Sequence, residues 1–178
     1  MSNLGTLVRI IVAGSEGKAA SMAWVDEAEK SGFGGMSRQA LFELDCEYRA
    51  FLHRAMTPRH WNALVAYYGL DAREKDQAIM GLIPVIATHA HHHFKVHAVF
   101  TWAKPKLAGR EGKRSTVGVL RPELYDLVTW DDGKGTPDRT MRYWRKGIHD
   151  TLSEMRAEAE NAAISLLVDQ GLLGKEAA

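Results

Sequence analysis

The chain has one cysteine, Cys46, in 178 residues. That excludes an internal disulfide and any zinc site built from several thiolates. No apolar run reaches the length that spans a bilayer. Residues 4–13 are apolar but too short, and no basic stretch leads into them as in a signal peptide. The expectation is a cytoplasmic protein with no membrane partner. A Walker loop, a Gly-x-Ser-x-Gly elbow, a dinucleotide fingerprint and a Cys–His motif are also missing. The glycines of Ser31–Gly35 lack the lysine of a phosphate loop. Nothing makes a positive case for an enzyme, and no cofactor is expected. Excess charge is lacking too, since 23 basic and 22 acidic residues leave a net +1.

That near-neutrality hides an uneven distribution. Residues 1–97 balance, residues 98–149 sum to about +5, and residues 150–178 to about −4. A basic centre between neutral and acidic ends suits a polyanion-binding surface. At 46% apolar and 25% charged, the composition is that of a soluble globular protein, long enough for one domain or two small ones.

Period-two alternation is almost absent, so the expected fold class is mostly α, a compact helical protein. Residues 4–13 fit a short helix or a buried strand, and 18–30 a modest helix. Ser37 is a good N-cap for a helix to about Met56, with Leu41, Leu44, Tyr48, Phe51, Leu52 and Ala55 at helical spacing. Cys46 sits in it as a small, half-buried residue. Thr57-Pro58 starts another helix, with Trp61, Leu64, Val65 and Tyr68 as core face and Gly69 as stop. Asp71 caps the next, turning Ala78, Ile79 and Leu82 inward. From Pro84 to Ala103, Val85, Ile86, His89, His93, Val96 and Phe100 again keep helical spacing. Lys104–Thr116 holds five basic residues, Lys104, Lys106, Arg110, Lys113 and Arg114, and no periodic apolar face. It reads as a basic loop. The organisation is an N-terminal segment (1–36), a helical body (37–103), the basic loop (104–116) and a C-terminal unit (117–178), or one integrated domain.

Two constellations could carry chemistry. In the first, a short helix from Arg121-Pro122 to Trp130 and a glycine-containing turn precede a long helix. Thr136 caps that helix and Pro137 begins it. Its apolar stripe is Met141, Trp144, Ile148, Leu152, Met155, Ala159, Ala162 and Leu166. Arg139, Arg142, Lys146 and His149 share a different face, with Arg145 between the two. This is the layout of a helix-turn-helix, whose second helix enters the major groove of double-stranded DNA, although the turn is longer than usual. Arginine suits that role because its fork pairs bidentately with guanine. A solvated basic face that binds an acidic protein would look the same.

In the second, His89, His93 and His97 are four residues apart and would stack on one helix face around a metal ion. Ala90 follows His89 where a helical zinc site has glutamate, and no Asp or Glu lies between Asp76 and Glu111. No metal is therefore expected, and a metal-binding helical protein is the minor reading.

Thr57–Ala66, the segment ending Ala98–Ala103, and Arg139–Lys146 (Arg-Thr-Met-Arg-Tyr-Trp-Arg-Lys) with its long following helix resemble a group of phage and prophage regulators. The chain is similar to the Q-type processive transcription antitermination factors of the AlpA-like kind. The resemblance is diffuse and spans most of residues 37–170. It implies a factor that binds DNA beside a promoter, loads onto paused RNA polymerase with its σ factor, and narrows the RNA exit channel so that terminators are read through. On this sequence the DNA contact would fall on Arg139, Thr140, Arg142, Arg145, Lys146 and His149. The nascent RNA or exit channel would meet Lys104, Lys106, Arg110, Lys113 and Arg114. The plainer alternative is a promoter-level activator or repressor.

Overall fold

The computed structural model describes residues 3–13, 37–106 and 119–173. Seven α-helices lie within them: α1 (Asn3–Val12), α2 (Arg38–Ala55), α3 (Pro58–Tyr68), α4 (Ala72–Leu82), α5 (His92–Ala103), α6 (Leu127–Trp130) and α7 (Asp138–Asp169). Short 3-10 turns occupy Ile83–Val85 and Pro122–Tyr125. Among the described residues the β-type pairing is one isolated parallel bridge, Lys106 to Leu120. The mostly α fold class is thus observed. The expected helix at 18–30 and the glycine loop after it lie outside the described residues.

Local chemistry sets the helix starts. Ser37 Oγ accepts from the Ala40 N–H at 3.2 Å, and Asp71 Oδ1 from the Glu74 N–H at 2.8 Å. Both satisfy donors that a first turn leaves orphaned. Thr57 holds the cap position of α3 without a side-chain bond, so the start there rests on Pro58, whose fixed φ suits the first turn. Residues 4–13 resolve as helix: Thr6, Leu7, Ile10 and Ile11 bury one face. Two polar ties fix α1 to α2, Arg9 Nε to Asp45 Oδ2 at 3.0 Å and Arg49 Nε to the Ile11 carbonyl at 3.0 Å. Burial pushes the Asp45 carboxyl up to about 6, against the pull of Arg9.

α3 and α4 form the most extensive helix pair, and α7 packs on α3 and α5. The α3–α4 approach is close at Gly81, where a Cβ would sit 2.4 Å from Asn62 Nδ2. One contiguous core runs from Leu7 through Leu64, Ile79, Phe94 and Trp130 to Leu167. Phe94 lies edge-on to both Trp130 and Trp144, with ring centroids 5.2 and 5.5 Å apart.

Three expectations are corrected. Pro84 to Ala103 is not one helix. Proline lacks the N–H and crowds the preceding turn, so α4 ends at Leu82 and Pro84 sits in a 3-10 turn. Residues 86–91 are non-helical, Thr88 Oγ1 takes the Ala90 N–H, and His91 Nδ1 accepts from Phe94 N–H at 3.3 Å to cap α5. The long helix begins at Asp138 with Pro137 as its cap residue, since the first turn closes on the Pro137 carbonyl, while the Thr136 N–H bonds Asp131 Oδ2 at 3.0 Å. Its buried stripe is Met141, Ile148, Leu152, Met155, Ala159, Ala163 and Leu167. Trp144 is half-buried, and the last two positions are Ala163 and Leu167 instead of Ala162 and Leu166. Successive steps of four outrun the 3.6-residue turn, so the contact line winds slowly around the helix.

Candidate nucleic-acid interface

α7 has 32 residues, about 48 Å of rise, and its rear two-thirds are locked into the core. Its front is different. Arg139, Arg142, Tyr143 and Lys146 are all exposed, and Tyr143 retains 76% of its surface. At steps of three and four they share one side, opposite the buried Met141 and Ile148. The face from Arg139 to Lys146 is about 10 Å long. The helix N-terminus adds positive partial charge to it.

Two carboxylates bracket this face. Arg142 Nε lies 2.8 Å from Asp138 Oδ2 and Lys146 Nζ 2.5 Å from Asp150 Oδ2. The bond to Asp150 holds the Lys146 ammonium above its ordinary pKa. Both pairs are exposed and lie within one helix, where solvent screening leaves little net attraction. A phosphate can take over either cation without opening a tertiary contact.

The other three expected DNA contacts lie elsewhere. His149 turns inward, its Nε2 3.0 Å from the Ala98 carbonyl of α5. Burial lowers its pKa, so near neutral pH the ring is uncharged and donates its Nε2–H. It leaves the cationic face. Arg145 is half-buried on the side toward Tyr125 and His149, whose titrations it biases. Thr140 is half-buried, and its N–H closes the first turn on the Pro137 carbonyl at 2.9 Å.

The limb before α7 is also shorter than expected. In place of one helix from 122 to 130 there is a 3-10 turn, a kink at Asp126 and the four-residue α6. Asp126 Oδ1 caps α6 through Val128 N–H at 3.1 Å. Asp132, Gly133 and Gly135 all take positive φ in the following turn, 53°, 70° and 73°. Asp131 is held as the carboxylate, below its ordinary pKa, chiefly by Thr136. The segment before α7 therefore supplies a four-residue helix and not the full first helix that a helix-turn-helix over residues 122–169 would need.

The histidine cluster is dispersed. His89 lies in the non-helical stretch before α5. His93 and His97 pair edge-on with centroids 4.6 Å apart, and His97 stacks on Trp130 at 5.9 Å and 14°. Burial first, then His93, lowers the His97 pKa. Among the described residues no three histidine, cysteine or acidic side chains converge as metal ligands. Cys46 is half-buried against the Ala13 carbonyl, and burial raises its thiol pKa, the opposite of an activated nucleophile.

The basic loop divides similarly. Lys104 is buried and ion-paired with Asp76, so it is a structural cation and not a loop contact. Lys106 is exposed, its ammonium 5.9 Å from the Tyr125 ring centre. Arg110, Lys113 and Arg114 lie outside the described residues.

A cleft of about 610 Å³ opens beside Lys104, lined by the end of α3, the start of α4, the end of α5 and Tyr125. Its floor includes Lys75, which is 7% exposed. Sequence reading missed it, yet a signal was present: Lys75 falls on the inward stripe of Ala78, Ile79 and Leu82, where a cation is out of place. Tyr143 was missed as a site residue as well, although it lies off the apolar stripe and between Arg139 and Lys146 at helical spacing. No protein-family model, curated protein or solved structure matches this chain.

Proposed function

We propose that the protein is a DNA-binding transcription regulator that presents the front of α7 to the duplex. One observation carries the reading. Arg139, Arg142, Tyr143 and Lys146 form an exposed cationic face on a helix whose opposite side is fixed in the core. A helix is 10–12 Å across, about the width of the major groove. Arg139 and Arg142 suit base edges or phosphates, Lys146 suits phosphate, and Tyr143 adds a ring beside them. Lys106 is a further exposed cation. In this reading the role of the face is one of binding.

The specific role we propose is processive antitermination, resting on the resemblance of Thr57–Ala66, Ala98–Ala103 and Arg139–Lys146 to Q-type factors. In that role the protein loads from promoter-proximal DNA onto RNA polymerase with its σ factor, in the cytoplasm, and modifies the RNA exit channel. The DNA limb is tested by shift of a promoter-proximal fragment. Binding should weaken with Arg142→Ala and fall steeply with salt. The second limb is tested by transcription through a terminator with purified polymerase. Read-through is expected, whereas an effect on initiation alone would make the protein a promoter-level activator or repressor.

A further inference from the structure

The cleft beside α5 has an unusual charge balance. Lys75 and Lys104 are both more than nine-tenths buried, and each lines it. Lys104 is matched by Asp76. Lys75 Nζ donates to two uncharged acceptors, the carbonyls of Tyr67 at 3.2 Å and Gly69 at 3.3 Å. That leaves one N–H of its ammonium unassigned. Of the described residues lining the cleft, none is acidic. Two desolvated ammonium groups thus face one carboxylate, and an uncompensated buried cation is expensive unless something pairs with it. The strain registers on Lys75 itself, whose pKa is lowered to about 8 by burial and then by Lys104.

The walls add a second kind of chemistry. Tyr67 and Trp102 stand with ring centroids 5.3 Å apart at 45°. Tyr125 stands at the rim with Lys106 over its ring. The Tyr125 hydroxyl donates to the Lys104 carbonyl at 2.5 Å, so its ring is held in place. The volume is in the range of sites for small organic ligands.

We propose that this cleft binds a small anionic aromatic molecule of the nucleoside monophosphate class. The phosphate meets Lys75 with Lys106 at the rim, and the base lies on the aromatic wall of Tyr67 and Trp102. Phosphate supplies the missing negative charge and accepts the remaining Lys75 N–H as a charge-assisted bond. The base gains contact with rings that the fold already holds rigid. The wall is continuous with α7, because Trp102 Nε1 donates to Ser153 Oγ at 3.1 Å and Arg156 sits 4.3 Å over the Tyr67 ring. This site is separate from the α7 front and stands whether or not that face binds DNA.

Calorimetric titration of the full chain with AMP, adenosine and inorganic phosphate tests it. AMP should bind, and more tightly than either fragment alone, because the site engages both ends. Lys75→Met should weaken AMP by more than about tenfold, and Lys106→Ala by a few-fold. The triple variant Arg139→Glu, Arg142→Glu, Lys146→Glu should bind AMP as the unmodified chain does. Circular dichroism checks that Lys75→Met is folded; should it not be, Lys106→Ala, an exposed position, decides with Trp102→Leu. Absence of AMP binding at millimolar concentration overturns the proposal. So does binding unchanged by the cleft variants, or binding lost only in the α7 triple variant.

Discussion

The two halves of α7 differ in what their charges hold. In front, the ion pairs are local: Arg142 with Asp138 and Lys146 with Asp150, each four residues apart and exposed. Behind, the charges bridge to other helices. Glu158 meets Arg59 at 3.6 Å and His60 at 3.5 Å, and Glu160 accepts from the Tyr68 hydroxyl at 2.6 Å while pairing within α7 with Arg156, whose Nε lies 3.0 Å away. Arg156 in turn covers the Tyr67 ring. The rear charges are part of the α3–α7 junction, whereas the front charges can be re-paired at no tertiary cost. One continuous helix is therefore both an anchor and a presented surface. The change falls near His149, whose neutral ring ties α7 to α5.

Substitutions on either side can break or sharpen this division. The largest effect should come from reversing Arg139, Arg142 and Lys146 together to glutamate. Duplex DNA binding, followed by fluorescence anisotropy, should fall by more than about a hundredfold, since several phosphate contacts become repulsive. Melting temperature should barely move. Leu152→Ala, on the fully buried stripe, should do the converse. It should lower the unfolding free energy by roughly 2–5 kcal/mol in urea titrations while the folded fraction still binds. Tyr68→Phe should destabilise by about 1 kcal/mol, because it removes one donor from a carboxylate that keeps Arg156.

His149 sets a pH dependence at the boundary. Its folded pKa is depressed below 6.5 by burial, so the unfolded chain takes up the proton first. Its contribution to stability is present above about pH 6.5 and is lost as pH falls through the folded value. His149→Gln should flatten that limb of the stability profile. The smallest effect belongs to Glu154→Gln, an exposed rear position, which should leave both DNA affinity and melting unchanged.

Much of the helical plan was legible because it is written in local chemistry. Ser37, Pro58 and Asp71 mark helix starts through caps and backbone geometry that act within four residues. The α7 stripe was readable to Ala159 for the same reason. Its last turns were not, since repeated steps of four carry the contact line past Ala162 and Leu166 to Ala163 and Leu167. The break before α5 was hidden because Val85, Ile86, His89 and His93 imitate helical spacing. There Pro84 and the side-chain bonds of Thr88 and His91 outweigh the pattern. The cationic face was half legible. Arg139, Arg142 and Lys146 emerge as read, but periodicity cannot tell the edge of an apolar stripe from the edge of a polar one, and His149 fell inside. The cleft joins residues from 67 to 125 across four segments, and only the misplaced charge of Lys75 betrayed it.

The central claim is that the front of α7, and not its rear, meets nucleic acid. The salt dependence of duplex DNA affinity tests it most directly, measured for the unmodified chain, Lys146→Ala and Glu154→Gln. Each lost phosphate contact reduces the slope of log K against log salt by about 0.9. The account predicts a slope reduced by about that amount for Lys146→Ala and an unchanged slope for Glu154→Gln. Identical slopes for all three proteins, or no duplex binding at low salt, would contradict it.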